Sequence, residues 1–329
     1  MIISKTPLRV SFMGGMSDLP SYYEQDAGAV VSTAIDKYIY ITINKKFDEK
    51  IRTSYSVTEF VNSPDELKHE LIRESLKMVG IEKGIEITSI SDIPSRGTGL
   101  GSSSTYTVGL LNALYAHQGK SSSAEKLASQ ACDVEINRCG KQIGKQDQYI
   151  AAYGGLNYIR FNPDGSTFVN PIICSSETKK ELQENLLFFY TGISREISAD
   201  KILSKTSSFL KTNKKKRLMI KKLVSLAEEM KTSLEQNDLD YFGYLLNEGW
   251  MIKRKTQDCI SNDTIDNWYK IAIKNGALGG KLSGAGSGGF LSFYAPKEKH
   301  EQIIKSLPDL RHIPISLEPQ GTKIIYVGD

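Results

Sequence analysis

Cysteine and histidine are scarce in this 329-residue chain, four of each, and they are scattered. Cys132, Cys139, Cys174 and Cys259 form no CxxC pair, and His69, His117, His300 and His312 stand far apart. That spacing excludes a zinc-binding module, and a chain of this length buries roughly 75% of its unfolded surface without a disulfide framework. Cys132 and Cys139, seven residues apart, are expected on one buried helix face. Long apolar runs are missing too. Nowhere do 18 apolar residues follow one another, and Met1-Ile-Ile-Ser-Lys-Thr-Pro-Leu-Arg9 carries no apolar segment with a cleavage signal, so no membrane contact and a cytoplasmic location are expected. A strong charge of either sign is absent. Forty-two basic against 38 acidic side chains leave +4, too little to indicate nucleic acid. The densest basic run, Lys211, Lys214, Lys215, Lys216, Arg217, Lys221 and Lys222, has no interleaved aromatic to stack on bases and reads as a solvated helix face, with attraction of an anionic ligand or partner as the alternative.

What is present is a compact globular pattern: 40% hydrophobic residues, with 16 tyrosines and 11 phenylalanines. Strands are predicted over 2–12, 29–35, 38–43, 85–91 and 156–161. Helices are predicted over 65–78, 105–116 and 122–139, the last with Ser122 as N-cap. Pro163, Asp164, Gly165 and Pro171 interrupt the pattern between 162 and 176, a plausible boundary. Beyond it come strands at 186–190, 289–294, 312–316 and 324–327, and helices near 198–210, 216–235, 238–255, 262–275 and 298–306. The order implies an α+β second half on a mainly antiparallel sheet. No Rossmann fingerprint is found.

Two glycine-rich segments carry the chemistry. In Pro94-Ser-Arg-Gly-Thr-Gly-Leu-Gly-Ser-Ser-Ser104, Gly97, Gly99 and Gly101 lead into a helix whose N-cap and first turn fall on Ser102, Ser103 and Ser104. No Gly-Lys-Ser/Thr triplet closes it, so it is not a Walker A loop. The physical logic is similar: glycines let the backbone approach an anion, and the helix start offers unpaired N–H donors and partial positive charge. Gly279-Gly-Lys-Leu-Ser-Gly-Ala-Gly-Ser-Gly-Gly289 alone would be a flexible connector; two such loops in different halves suggest a phosphate-bearing ligand at the junction. Glu135 stands on the apolar stripe of the 122–139 helix, where a carboxylate is costly unless paired, protonated or metal-bound; reaching a solvent edge or pairing with Arg138 would also satisfy it. Asp147, just after Gly144, is by itself a capping or turn aspartate.

Residues 9–19, 94–104 and 281–289 resemble, in order and content, the three motifs of the GHMP kinases. Pro7-Leu-Arg-Val-Ser-Phe-Met-Gly-Gly-Met-Ser-Asp-Leu-Pro20, Gly144-Lys-Gln-Asp-Gln-Tyr149 and Tyr190-Thr-Gly-Ile-Ser-Arg195 resemble the D-glycero-D-manno-heptose 7-phosphate kinase group and related anomeric sugar kinases. The first motif departs from the group, with Met16 where a third glycine is usual. The resemblance implies a two-domain α+β fold: residues 1–170 like the second domain of ribosomal protein S5, residues 171–329 ferredoxin-like, and the site between them. It implies ATP and Mg²⁺, with Gly97, Gly99, Leu100, Gly101, Ser102, Ser103 and Ser104 on the nucleotide and Ser103 and Glu135 on the metal. Asp147 corresponds to the aspartate that orients or deprotonates the acceptor hydroxyl; Arg9 brings positive charge to the reacting oxygen or steadies Asp147. Gly15, Ser17, Asp18, Gly284 and Gly286 fall on the acceptor side. Lys145 is expected to neutralise phosphate or lie on the surface, and Arg195 to hold a remote sugar phosphate or cap the helix after it. The expected reaction is ATP-dependent phosphorylation of a sugar or sugar phosphate at C1, giving heptose 1,7-bisphosphate in the closest reading. An L-fucose-type kinase and a non-catalytic nucleotide- or sugar-binding regulator are the alternatives, and a homodimer is left open.

Overall fold

The computed structural model describes residues 1–94, 97–193 and 199–328. Among the described residues twelve strands form two sheets: β1 (Ile2–Met13), β2 (Gly28–Lys45), β3 (Ile51–Ser54), β4 (Thr58–Val61), β5 (Ile85–Ser91), β6 (Leu156–Phe161), β7 (Thr167–Pro171), β8 (Leu186–Tyr190), β9 (Gly279–Leu282), β10 (Phe290–Tyr294), β11 (Arg311–His312) and β12 (Lys323–Val327). The first sheet runs β12-β1-β2-β5-β3-β4, with β6 on β2 and β7 on β6; the second, antiparallel, runs β11-β8-β10-β9. The expected division at 170/171 cuts β7 before its last residue, Pro171, which still pairs with Asn157, and β12 crosses back to lie against β1.

β2 accounts for two of the predicted strands at once. Its first half pairs with β6 and its second with β5, and the ladder to β1 skips from Tyr38 to Ile35. The skipped Asp36 and Lys37 are a polar bulge inside one continuous strand. It is tied to the segment between β11 and β12, the Asp36 N–H donating to Ser316 O at 2.9 Å and the Ser316 N–H to Asp36 Oδ1 at 2.9 Å. Because 315–318 turns toward the first sheet, the strand expected at 312–316 shrinks to Arg311–His312.

The helices are α1 (Pro20–Tyr23), α2 (Glu70–Val79), α3 (Ser102–His117), α4 (Ala124–Cys132), α5 (Gln146–Tyr153), α6 (Ser176–Glu184), α7 (Ala199–Thr212), α8 (Lys214–Glu235), α9 (Leu239–Lys253), α10 (Asp263–Lys274) and α11 (His300–Ser306). α3 is buried along nearly all its length against β1 and β2, so its N-terminus is fixed at the sheet's end. The helix expected over 122–139 is capped by Ser123, not Ser122, and ends early: at Asp133–Arg138 the chain widens into a π-helical turn. Glu125 accepts from the Tyr149 and Tyr153 hydroxyls, both at 2.9 Å, in place of a reciprocal cap. Cys132 is buried and Cys139 only partly so, because the π turn rotates the later residues off the face. The basic run is mostly exposed, but Arg217 forms a salt bridge to Asp26 at 2.6 Å and donates to the carbonyls of Ser21 and Tyr22, clamping α8 to the segment around α1. No described helix is long and apolar enough to cross a membrane.

Candidate active site

Gly97, Gly99 and Gly101 all have φ near +80°, the left-handed region that only glycine occupies without strain, and they fold the first glycine segment back on itself before α3. Gly101 is the N-cap of α3 and supplies no side chain, leaving the first-turn N–H groups of Ser102, Ser103 and Ser104 directed outward. The buried Ser102 hydroxyl has no partner among the described residues. Leu100 is buried and its carbonyl accepts from Arg9 N at 3.1 Å, tying the loop to β1. The second glycine stretch lies directly on the first: the Phe290 N–H donates to Thr98 O at 3.2 Å, and a side chain on Gly289 would collide with that carbonyl. The two loops therefore meet, and a cleft of about 380 Å³ opens beside them between the sheets.

At the first turn of α3 the Ser103 hydroxyl donates to Glu135 Oε1 at 2.5 Å. The π turn delivers Glu135 there fully buried, and the Gln148 side-chain amide donates to its other oxygen at 2.6 Å. Lys141 Nζ stands 3.3 Å from Ser103 Oγ and 3.9 Å from Glu135 Oε1. Burial raises the Glu135 pKa above the ordinary carboxylate value, against the opposing pull of Lys141 and the hydrogen bonds. Arg138, the alternative partner, pairs with Asp133 instead. A hydroxyl, one buried carboxylate and an unpartnered serine oxygen beside a phosphate loop suit Mg²⁺, which takes few protein ligands and completes its shell with phosphate and water. No cluster of three or more His, Cys, Asp or Glu that would hold a metal without such a ligand is found among the described residues.

Asp147 sits in the first turn of α5, and Arg9, 5% exposed, grips it through two bonds: Nε to Oδ1 at 2.7 Å and Nη2 to Oδ2 at 2.6 Å. The remaining guanidinium nitrogen, Nη1, donates to Gly99 O at 2.6 Å. Arg9 thus fixes the distance from the carboxylate to the nucleotide loop. Beside it lies Asp18, buried, accepting from the backbone N–H of Met16 at 3.1 Å and from the backbone and side chain of Gln146 at 3.2 and 3.0 Å. Burial, and next the negative charge of Asp147, raise its pKa. A side chain at Gly144 would fall inside the Asp18 carboxylate, which accounts for the glycine there.

The structure separates the other sequence candidates. Gly15 and Gly284 line the cleft. Ser17 does not; its hydroxyl bonds to Gly14 O and Ala29 O and braces the loop. Gly286 packs on the Ile260 backbone rather than lining the cleft. Lys145 turns away, donating to Gly165 O at 2.9 Å with its ammonium over the Tyr23 ring, and Lys141 takes the place facing the phosphate loop. Met16 lines the cleft at φ +77°, an unfavourable conformation for a side-chain-bearing residue, which explains why glycine is usual there. Arg195 lies outside the described residues. Sequence reasoning missed Lys253 and Lys281, both buried at the cleft wall. For Lys253 the signal was present: it continues the buried Phe242, Leu246, Trp250 face of α9 at helical spacing.

Residues 67–155 match the GHMP kinases N terminal domain and residues 230–310 the GHMP kinases C terminal domain. The D-glycero-alpha-D-manno-heptose 7-phosphate kinase of Campylobacter jejuni is 30% identical over 93% of each chain. The bifunctional fucokinase/GDP-fucose pyrophosphorylase of Arabidopsis thaliana is 26% identical over 92% of this chain and 31% of its own. The crystal structure of a D-glycero-D-manno-heptose 1-phosphate kinase from Bacteroides thetaiotaomicron superposes with a TM-score of 0.82 at 25% identity over the whole of both chains. This chain belongs to the GHMP kinase family. It is an ATP-dependent phosphotransferase with an alcohol group as acceptor.

Proposed function

We propose that this enzyme transfers the γ-phosphoryl group of ATP to the anomeric hydroxyl of a sugar phosphate, D-glycero-D-manno-heptose 7-phosphate, giving the 1,7-bisphosphate and ADP. The observation that carries the reading is the Arg9 bridge, which binds the Asp147 carboxylate and the Gly99 carbonyl at once and so sets an acceptor-orienting group at fixed distance from a phosphate loop. The Campylobacter relative supplies the sugar.

On this reading the first-turn amides of α3 and Lys141 hold the transferring phosphate, and Ser103 and Glu135 hold Mg²⁺. When bound, the ion neutralises charge on the phosphoryl oxygens. Gly15, Asp18 and the Gln146 amide surround the sugar, and Asp18 accepts from its hydroxyls. Asp147 accepts the proton of the C1 hydroxyl as that oxygen attacks phosphorus in line and ADP departs. An anomeric hydroxyl is more acidic than an ordinary alcohol, so a modest carboxylate base suffices, and positioning contributes as much as basicity. No phosphoenzyme is needed. A cytoplasmic setting, with its ATP, fits this reaction.

An ADP-release screen across heptose 7-phosphate, hexose 6-phosphates, neutral hexoses and L-fucose, with the new phosphate located by NMR, tests it. Transfer to C1 of the heptose phosphate is expected. Transfer to another position, or preference for L-fucose, rejects the reading; nucleotide binding with no transfer to any sugar favours a non-catalytic regulator.

A further inference from the structure

Two lysines from the second half of the chain reach the acceptor end of the cleft. Lys281, on β9, is 6% exposed and donates from Nζ to Phe12 O at 3.0 Å. Lys253, at the last turn of α9, is 8% exposed and donates to Gly284 O at 2.6 Å. Both line the main cleft, and both border a small hollow beside Gly14 and Gly15, the start of the loop that carries Asp18.

Their place along β1 separates them from the nucleotide. The Arg9 N–H is bonded to Leu100 of the phosphate loop, whereas the carbonyl that holds Lys281 belongs to Phe12. Three residues of extended strand carry the chain about 10 Å. A pyranose ring and an exocyclic carbon chain span a comparable reach between an anomeric hydroxyl at Asp147 and a terminal phosphate.

The charges do not balance locally. Arg9 is committed to Asp147 and Gly99, and Lys281 has no carboxylate within salt-bridge distance among the described residues. An ammonium has three donors, and Lys281 spends one on a carbonyl. Burial, the neighbouring Lys253 and Arg9 all work against its charge, pushing its pKa well below the ordinary lysine value. A dianion docking beside it removes that penalty.

Resting on the kinase reading above, we infer that Lys281 and Lys253 are the residues that recognise the remote phosphate of the acceptor and make this enzyme select a sugar phosphate over the corresponding neutral sugar. The chemistry is paired ammonium groups on a phosphate dianion, presented from the half of the chain that does not bind ATP.

The test compares kcat/KM for heptose 7-phosphate with that for the same heptose lacking the phosphate, in the wild type and in Lys281→Met, Lys253→Met and Lys281→Arg. In each methionine variant the preference for the phosphorylated sugar is expected to fall at least about tenfold, the worth of one charge-assisted hydrogen bond, with the change in KM rather than kcat. Lys281→Arg keeps most of the preference. Inorganic phosphate is expected to compete with the sugar phosphate in the wild type and to compete more weakly in Lys281→Met. An unchanged preference in Lys281→Met that still binds a nucleotide analogue overturns the inference, as does an equal loss on both acceptors through kcat. If the methionine variants do not fold, failure of inorganic phosphate to compete in the wild type overturns it. A wild type that phosphorylates C1 of the neutral sugar as well as the phosphorylated one sinks the lysine assignment and leaves anomeric transfer standing; a wild type that transfers to no sugar sinks both.

Discussion

Asp147→Asn keeps the size of the side chain and changes its hydrogen-bonding chemistry. Both carboxylate oxygens accept from Arg9, at 2.7 and 2.6 Å, so an amide must turn its NH₂ toward one guanidinium donor and lose that bond. One charge-assisted bond is worth about 1.5–3 kcal/mol; the lower half applies, because the Asp147 side chain is 23% exposed and Arg9 keeps Gly99. At roughly 2–4 °C per kcal/mol for a large domain, the ligand-free protein should melt about 3–9 °C lower. Turnover should fall much further, about 10²–10⁴-fold, because the amide cannot accept the hydroxyl proton and the Arg9 bridge no longer fixes the group. The measurements are a coupled ADP-release assay under saturating sugar, and titration with a non-hydrolysable ATP analogue, whose affinity should stay within about threefold because Gly97 to Ser104 are not altered. Turnover within about threefold of wild type, with the substitution verified, would show that Asp147 neither orients nor deprotonates the acceptor.

Glu135→Gln can re-form the bonds to Ser103 and Gln148 without burying a charge, so the ligand-free protein should melt about 2–4 °C higher while Mg²⁺-dependent activity collapses; an unchanged Mg²⁺ titration rejects the metal role. Gly144→Ala forces the Asp18 carboxylate out of place, so the acceptor KM should rise at least about tenfold with nucleotide affinity unaltered, and a normal KM would remove Asp18 from the sugar site. The depressed pKa of Lys281 has a stability signature. Between the folded value and the ordinary 10.5 the unfolded chain binds a proton that the folded chain does not, so stability rises with pH across that window and is lowest below it. Lys281→Met should remove this contribution and melt higher than wild type at neutral pH, with the gap closing toward pH 10; a gap independent of pH refutes the buried-charge account.

The first glycine loop was legible because Gly97, Gly99 and Gly101 all sit at φ near +80°, where glycine is strongly favoured, and α3 and α7 to α10 because their starts or periodicity are marked. Other elements leave weaker traces. α5 buries Gln148 through Ala152 consecutively, so no polar face betrays a helix, and none is predicted there from the sequence. Nothing in the residues 122–139 signals the change from α to π winding that turns Glu135 inward, although the cost of a carboxylate on that stripe marked the residue itself. Lys141 and Lys145 flank the same glycine, and sequence alone left Lys145 between a phosphate contact and the surface and did not mark Lys141; the difference is set by the Tyr23 ring and the Gly165 carbonyl, which arrive from distant elements. Lys281 was hidden among glycines that suggested a flexible connector, yet its β9 ladder to β10 is regular.

The pairing of β12 with β1 gives the chain a problem in time. During synthesis β1 is complete at Met13, but the strand that covers its outer edge begins at Lys323, 310 residues later. At a ribosomal rate of about 5–20 residues per second that edge stays open for roughly 15–60 s, offering unpaired N–H and C=O groups to any neighbouring nascent chain. Chaperone dependence during translation, and aggregation of a fragment that carries β1 without β12, follow from a sheet that β1 starts and only β12 closes.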